Sequence, residues 1–441
     1  MHKNIKKIIL FFVIPPSPFT HPVALAKNVC PGVAFDPSTP LRINCALAKT
    51  DKSYDTHFKL GFEHYLQKNY EQALGHFYKL IELDPNNSLH YFNMGIILQK
   101  LGKFEASNSY LHAYLELKPD DKEAHKHLRA NYLILGDLQK GYYHADIFNK
   151  EKDAEYKYLW HGSCLSGKTI YIVDNIGIGD VFCFIQYAKH MKDQGGKVIL
   201  GVRDYLMPIM SSCPFVDKVV PRFQDTKNCN CYTHVTKLPR MAYKAGFDIP
   251  GQVPYLFADE ALIKKWANIL AKDKYFKIGI CWDASLAKDP KTGGPVRTAR
   301  SIPLRYFYEL SKLPNVSLYS LQRVNGTEQL ESMPQDFNIH AFDEDFDKTH
   351  GSFMDTAAVM KHLDLVITVD TSVAHLAGAL GAPVWLLLNH AGNWRWFLDR
   401  EDSPWYPTMR IFRQKKRGDW DFVMQQVVAH LRDILPDNLG K

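Results

Sequence analysis

No cysteine in this sequence belongs to a Cys-x-x-Cys pair. The eight cysteines, Cys30, Cys45, Cys164, Cys183, Cys213, Cys229, Cys231 and Cys281, are scattered over 441 residues. That spacing excludes the usual zinc patterns, which need paired ligands at short intervals. Cys229-Asn-Cys231 is too isolated to read as a metal site. Cys30 and Cys45 could pair in an oxidising compartment, but reduced thiols are the simpler reading. Long apolar runs are missing as well: residues 8–14 near the N-terminus are too few to cross a membrane. There is no basic stripe either. The net charge is +7, and the one obvious cluster, at residues 413–417, reads as solvated surface. Nucleic acid is therefore not indicated as a partner, whereas a mildly basic chain suits a small anionic ligand.

What is present describes a folded protein of two or three domains. Hydrophobic residues make up 46% and charged residues 23%, which excludes a disordered chain. Lys3, Lys6 and Lys7 precede the apolar run, and Ala24-Leu25-Ala26 follows it, which is the layout of a secretory signal. Pro15, Pro16 and Pro18 interrupt that layout. The reading adopted is a cytoplasmic protein, with export the alternative if residues 1–26 act as a signal. Residues 1–50 are set apart as a leader.

A repeat comes next. Leu60-Gly61 recurs as Met94-Gly95, Tyr70 as Phe104, Ala73 as Ser107, Phe77 as Leu111 and Pro85 as Pro119, always at an offset of 34 residues. That is the period of the tetratricopeptide (TPR) helix pair. The prolines end the second helix of each unit, and the small residues let two antiparallel helices pack closely. A degraded third unit, with Leu128, Tyr132 and Gly136 in register and Arg129 at the glycine position, reads as a terminal cap. The TPR segment is placed at 54–150. Such arrays usually bind protein, though two or three repeats can simply brace a neighbouring domain.

From about Lys168 the pattern changes to strands alternating with amphipathic helices, which predicts parallel sheets. Strands are expected at 169–173, 197–202, 277–282, 316–321, 365–369 and 384–388, with a short edge strand at 215–220. Helices are expected at 181–192, 260–270, 303–313, 354–363, 373–380 and 421–435. The segment 221–254 carries no clear pattern. Two Rossmann-like lobes follow, at 160–258 and 259–441, with ligands expected at the carboxyl ends of their strands.

Three turns carry candidate chemistry. In Asn175-Ile176-Gly177-Ile178-Gly179-Asp180, Gly177 and Gly179 let backbone approach a ligand, and Asp180 can serve either as a helix cap or as a general base. In the second turn, Asp370-Thr371-Ser372 leads into a helix bearing His375. The Thr371 and Ser372 hydroxyls and the first-turn amides can cradle a pyrophosphate. Asp370 can hold a ribose or sugar hydroxyl or orient the loop. His375 is either a packing histidine or a ligand contact, and the ligand role is preferred. In the third turn, Arg300 and Ser301 precede a helix, where a guanidinium can bind phosphate as a two-pronged donor. The acidic stretch Asp343-Glu344-Asp345-Phe346-Asp347 reads as a polar loop rather than a metal motif. Trp394 and Trp396 read as packing residues or as a stacking surface for a base or sugar.

Taken together, these residues resemble glycosyltransferase family 9, the heptosyltransferase superfamily, over roughly residues 55–435. The joining of TPR repeats to such a domain is similar to the architecture of O-GlcNAc transferases. The stretches that carry the resemblance are 364–388, 394–414, the Gly-Ile-Gly-Asp turn and Arg300-Ser301-Ile302-Pro303-Leu304. The resemblance implies an α-helical TPR array followed by an α/β GT-B fold of two Rossmann-like lobes. It also implies a nucleotide-diphosphate sugar donor, inverting transfer, and no metal or other cofactor. By residue, it makes Asp180 the base, places Asp370, Thr371, Ser372 and His375 on the donor, and adds Arg300 as a basic contact. Relatives often carry glutamine and arginine in the helix after the Gly-Asp turn, where this chain has Cys183 and Gln186. The expected function is a glycosyltransferase acting on a protein or glycan acceptor, with the TPR helices contacting a protein partner. A supply of nucleotide sugar favours the cytoplasm. The alternatives are a non-catalytic TPR interaction protein with a degenerate GT-B domain, or an epimerase or hydrolase on the same fold.

Overall fold

A computed structural model describes Leu41 and residues 52–154, 158–224, 228–288 and 294–435. Apart from Leu41, the leader at residues 1–50 therefore lies outside the described residues. The chain divides into two compact units that meet in sequence between Pro119 and Asp120. No described helix is long and apolar enough to cross a membrane.

Among its described residues the first unit holds four helices, α1 (Lys52–Leu66), α2 (Tyr70–Leu83), α3 (Ser88–Lys100) and α4 (Phe104–Leu117). The second helix of each pair begins and ends 34 residues after its counterpart, as the repeat predicts. Phe62, Ala73, Phe77, Leu80, Met94 and Leu111 are buried between them. Ser107, in the place of Ala73, donates its hydroxyl to the Gly95 carbonyl at 2.7 Å, so a polar atom is accommodated inside the pair. Asn87 accepts from the Leu89 amide and caps α3.

The second unit opens with the cap pair α5 (Lys122–Ile134) and α6 (Leu138–Ala154). Arg129, at the repeat's glycine position, lays its guanidinium 5.3 Å from the centre of the Phe148 ring. The cap pair is part of the α/β unit. Arg240 donates to the Ala145 carbonyl at 3.2 Å and pairs with Asp146 at 2.9 Å. Tyr142 packs on Tyr243 at 5.1 Å between ring centres.

Two parallel sheets follow. The N-lobe sheet contains β1 (Thr169–Val173), β2 (Lys197–Val202), β3 (Lys218–Pro221) and β4 (Cys231–His234), in the order β3-β2-β1-β4. Its helices are α7 (Ile178–Phe184), α8 (Ala188–Asp193), α9 (Met207–Met210) and α10 (Leu238–Lys244), and α11 (Glu260–Leu270) leads onward. The C-lobe begins with β5 (Phe276–Cys281) and a small antiparallel pair, β6 (Ala287–Lys288) and β7 (Pro295–Val296). Then come α12 (Tyr308–Ser311), β8 (Val316–Ser320), β9 (Ile339–His340), α13 (Met354–Met360), β10 (Leu365–Val369), α14 (Ser372–Ala379), β11 (Val384–Leu388), β12 (Met409–Arg413) and α15 (Trp420–Ile434). Its sheet runs β12-β11-β10-β5-β8-β9. Counted within the lobe and without the small pair, that is the doubly wound order 3-2-1-4-5-6 of a Rossmann sheet, and the N-lobe repeats its first four places. In each sheet the order reverses beside the first strand, between β1 and β4 and between β5 and β10. These reversals are where such sheets open a crevice for ligand.

Several expectations needed correction. The helix expected at 181–192 starts at Ile178, and a single 3₁₀ turn at Ile185–Tyr187 divides it into α7 and α8. The segment 221–254 contains both β4 and α10. The helix expected at 303–313 is a 3₁₀ turn, Leu304–Phe307, followed by the single turn α12. One core runs through both lobes, because α7 and α14 bury their apolar residues against each other and against Trp405 and Tyr406.

Candidate active site

Strand β10 is buried along its whole length and is followed by Asp370, beside the sheet reversal. Thr371 then takes an extended conformation (φ −135°, ψ 175°) and α14 begins, with no cap hydrogen bond from the Thr371 side chain. The first amides of an uncapped helix point outward at the positive end of its dipole, an arrangement suited to an anion. Thr371 and Ser372 are partly exposed at this end. Thr371 Oγ1 lies 3.3 Å from Thr368 Oγ1 and 3.8 Å from Cys281 Sγ. Arg300 reaches the same place and donates from Nη1 to the Asp370 carbonyl at 3.2 Å.

His375 is the fourth residue of α14, at the end of its first turn, and is buried. Its Nε2 lies 3.8 Å from Asp370 Oδ1, and its Nδ1 lies 2.9 Å from the Tyr406 hydroxyl. The ring stacks on Trp396 with centres 5.1 Å apart. Burial, reinforced by the positive charges of Arg395 and Arg300, holds its pKa well below the usual histidine value. The ring is therefore neutral at neutral pH.

Strand β1 delivers the opposing turn. Gly177 occupies the N-cap position of α7 (φ −58°, ψ 150°), so Asp180 is the third residue inside the helix rather than its cap. The Asp180 carboxylate is mostly buried and pairs through Oδ1 with Arg395 Nη1. Burial raises its pKa above the usual carboxylate value. Arg395 opposes that rise, Asp370 adds to it and Arg300 opposes it further. A carboxyl shifted upward in this way is suited to proton transfer. The first turns of α7 and α14 touch: a Cβ placed on Gly179 would lie 2.6 Å from His375 Cδ2. Only glycine permits this approach.

Arg395 was not foreseen. It sits in a 3₁₀ turn, Trp394–Trp396, whose backbone is fixed from several sides. Asn393 Oδ1 accepts from the Arg395 amide, Trp405 Nε1 donates to the Arg395 carbonyl at 2.8 Å, and Arg413 donates to the Trp396 carbonyl at 3.0 Å. Helix α5 packs on the same turn. Arg395 is 7% exposed and its guanidinium lies 5.7 Å from the centre of the Phe184 ring. The one signal in the sequence is a cation between two tryptophans, where the aromatics drew the attention instead.

The structure thus gathers Gly179, Asp180, Arg300, Asp370 and His375, with Thr371 and Ser372 at the start of α14 and Gly177 beside Asp180. Ser301 is drawn elsewhere: its hydroxyl donates to Asp283 at 2.6 Å and accepts from the Ala284 amide at 3.1 Å. Trp396 is fully buried behind His375 and offers no face for a base or sugar. Arg413 is not solvated surface, since its guanidinium serves the Trp396 and Phe397 carbonyls and burial lowers its pKa to about 10. Lys415, Lys416 and Arg417 are exposed, as expected. Among the described residues no three His, Cys, Asp or Glu side chains converge as metal ligands, the Asp343–Asp347 stretch included. All six cysteines among the described residues are free; Cys30 and Cys45 lie outside them.

Residues 350–422 match the model of glycosyltransferase family 9 (heptosyltransferase). That stretch holds Asp370, Thr371, Ser372, His375 and Arg395, but not Asp180. Residues 76–107 match a tetratricopeptide repeat model. Among known proteins the chain is similar to protein FlbA of Caulobacter vibrioides, at 24% identity over 80% of this chain and 63% of FlbA. It thus spans less than two thirds of that relative. Among solved structures it is similar to Escherichia coli ADP-heptose lipopolysaccharide heptosyltransferase II, with 13% identity, 60% of this chain and 99% of the other covered, and a TM-score of 0.42. A glycosyl transferase family 9 structure from Veillonella parvula is similar at 10% identity, with 62% and 92% covered and a TM-score of 0.44.

Proposed function

We propose that the α/β unit is a glycosyltransferase that moves a sugar from a nucleotide diphosphate to a hydroxyl acceptor. The observation that carries this reading is the contact between the start of α7 and the start of α14. It sets a mostly buried carboxylate with a raised pKa, Asp180, beside an uncapped helix N-terminus. The diphosphate lies against the first amides of α14, with the Thr371 and Ser372 hydroxyls and Arg300 as further donors. Asp180 takes the proton of the acceptor hydroxyl as its oxygen bonds to the anomeric carbon. The bond from that carbon to the diphosphate oxygen breaks, and the electron pair leaves on the diphosphate. Attack from the face opposite the leaving group makes the transfer inverting, and no metal or other cofactor takes part. The acceptor is a protein or a glycan, the TPR helices engage a protein partner, and the reaction runs in the cytoplasm.

The test is thermal unfolding of the purified protein against a panel of nucleoside diphosphates and their sugars. A ligand at one hundred times its dissociation constant stabilises the native state by about 2.7 kcal/mol. A selective stabilisation, reduced by Thr371→Ala, is the expected result. No stabilisation by any member of the panel favours instead a non-catalytic TPR interaction protein.

A further inference from the structure

The charged groups around Asp180 balance. Asp180 and Asp370 carry the negative charges, Arg395 and Arg300 the positive ones, and His375 is neutral. The other titratable neighbours, Cys183 and Tyr406, stay protonated because burial raises both. A diphosphate brings a further negative charge of two or more into this neighbourhood. Arg300 spends one donor on a backbone carbonyl, so it can turn to the ligand without uncovering any charge. Arg395 differs, because its guanidinium neutralises Asp180 directly.

Arg395 is also short of partners. Its Nε is buried without a hydrogen-bond partner among the described residues. Its backbone is pinned by Asn393, Trp405 and the packing of α5, so any movement belongs to the side chain. A guanidinium offers five N–H donors in a fork that matches two phosphate oxygens. Asp180 uses only part of that fork: the contact runs from Nη1 to Oδ1, and Nε takes no part in it.

Resting on the glycosyltransferase reading, we propose that Arg395 is a shared cation: it holds Asp180, and a donor diphosphate takes it over, freeing the carboxylate for the acceptor hydroxyl. Arg395 is on this view a positioning residue for Asp180 as well as a phosphate contact. The donor must then bind before Asp180 can act, which keeps the base masked until a leaving group is in place. Binding of diphosphate and pairing with Asp180 compete, and the competition is reciprocal. A carboxylate that loses its cation holds a proton more readily: in the acceptor-free complex Asp180 draws a fraction of a proton from solution, and in turnover it receives the proton of the acceptor hydroxyl instead.

Calorimetric titration of the full chain with the nucleoside diphosphate selected by the thermal panel tests this. Each titration is repeated in two buffers of different ionisation enthalpy, which counts protons. Asp180→Asn should bind the diphosphate roughly fivefold or more tightly than the unsubstituted protein, the low end of usual coupling, and the proton uptake of the unsubstituted protein should vanish. Equal or weaker binding by Asp180→Asn overturns the proposal while leaving the donor site intact. Absence of diphosphate binding in the unsubstituted protein overturns the glycosyltransferase reading itself. Should Asp180→Asn not fold, Arg395→Gln decides: a tenfold or greater loss of affinity together with loss of proton uptake supports the shared cation, and unchanged affinity overturns it.

Discussion

The turn after β1 and the turn after β10 both leave the carboxyl end of a parallel strand beside a sheet reversal, and both enter a helix with no side-chain cap hydrogen bond from its N-cap residue. They place their carboxylates differently. Asp370 precedes α14, buried at 3% exposure beside His375, and its carbonyl receives Arg300. Asp180 lies within the first turn of α7 and meets a cation from another segment. The same topology thus yields one turn whose buried carboxylate faces a histidine of the helix it precedes and one whose carboxylate is paired with a cation from another segment. Of the two, the second is suited to exchange a proton and the first to hold a ligand still.

Substituting the two aspartates separates these roles most strongly. Asp180→Asn should lower turnover by about 10²- to 10⁴-fold, the usual contribution of a general base, without weakening donor binding. Asp370→Asn should act chiefly on donor affinity. Steady-state kinetics together with the thermal panel check both. An equal loss of turnover at intact donor affinity in both variants would break the division between the turns.

The contact between the turns comes next. A side chain at position 179 would meet His375 at 2.6 Å, with the ring held by Tyr406 and Trp396. Gly179→Ala should therefore cost about 1–3 kcal/mol, as overpacking does. Urea unfolding should show this as a lower midpoint at unchanged slope. A neutral outcome would mean that the two helices do not meet as described.

Acid should distinguish the turns again. The folded pKa of His375 lies well below its unfolded value of 6.5. Below about pH 6.5 the unfolded chain therefore binds more protons, and stability falls with falling pH. The raised pKa of Asp180 acts in the opposite sense, and only between its unfolded value of 3.8 and its higher folded value. Denaturant midpoints measured from pH 7 down to pH 5 should fall, less so in His375→Asn, with Asp180→Asn following the unsubstituted protein until the carboxylate range is reached.

Much of this architecture was legible because strong apolar blocks state their own limits. Strands β1, β2, β10 and β11 and helix α11 run over the residues their patterning predicts, and the prolines at 85 and 119 mark the repeat. Strand β4 was hidden because it is four residues long and includes Thr233 and His234. The start of α7 was hidden because two glycines in three residues read as a loop, whereas a glycine in a first turn costs little when a partner helix packs on it. Arg395 could not be read at all as a partner of Asp180. Its role depends on bringing together residues 215 positions apart in sequence, and no local pattern encodes such a pairing.

The smallest effect is expected at Gly177, and it bears on how ligand approaches. Gly177 is exposed, and its backbone (φ −58°, ψ 150°) is one that alanine adopts freely. An added Cβ would meet only Asp180 Oδ2, at 3.4 Å. Exchanging glycine for alanine at an N-cap costs on the order of 1 kcal/mol or less, so Gly177→Ala should unfold within a few degrees of the unsubstituted protein. Glycine is thus not demanded here by the fold, in contrast to Gly179. If the turn lies against the donor, the methyl group should weaken diphosphate binding while stability barely changes. If both affinity and stability are unchanged, ligand keeps to the α14 side, and the β1 turn contributes its carboxylate alone.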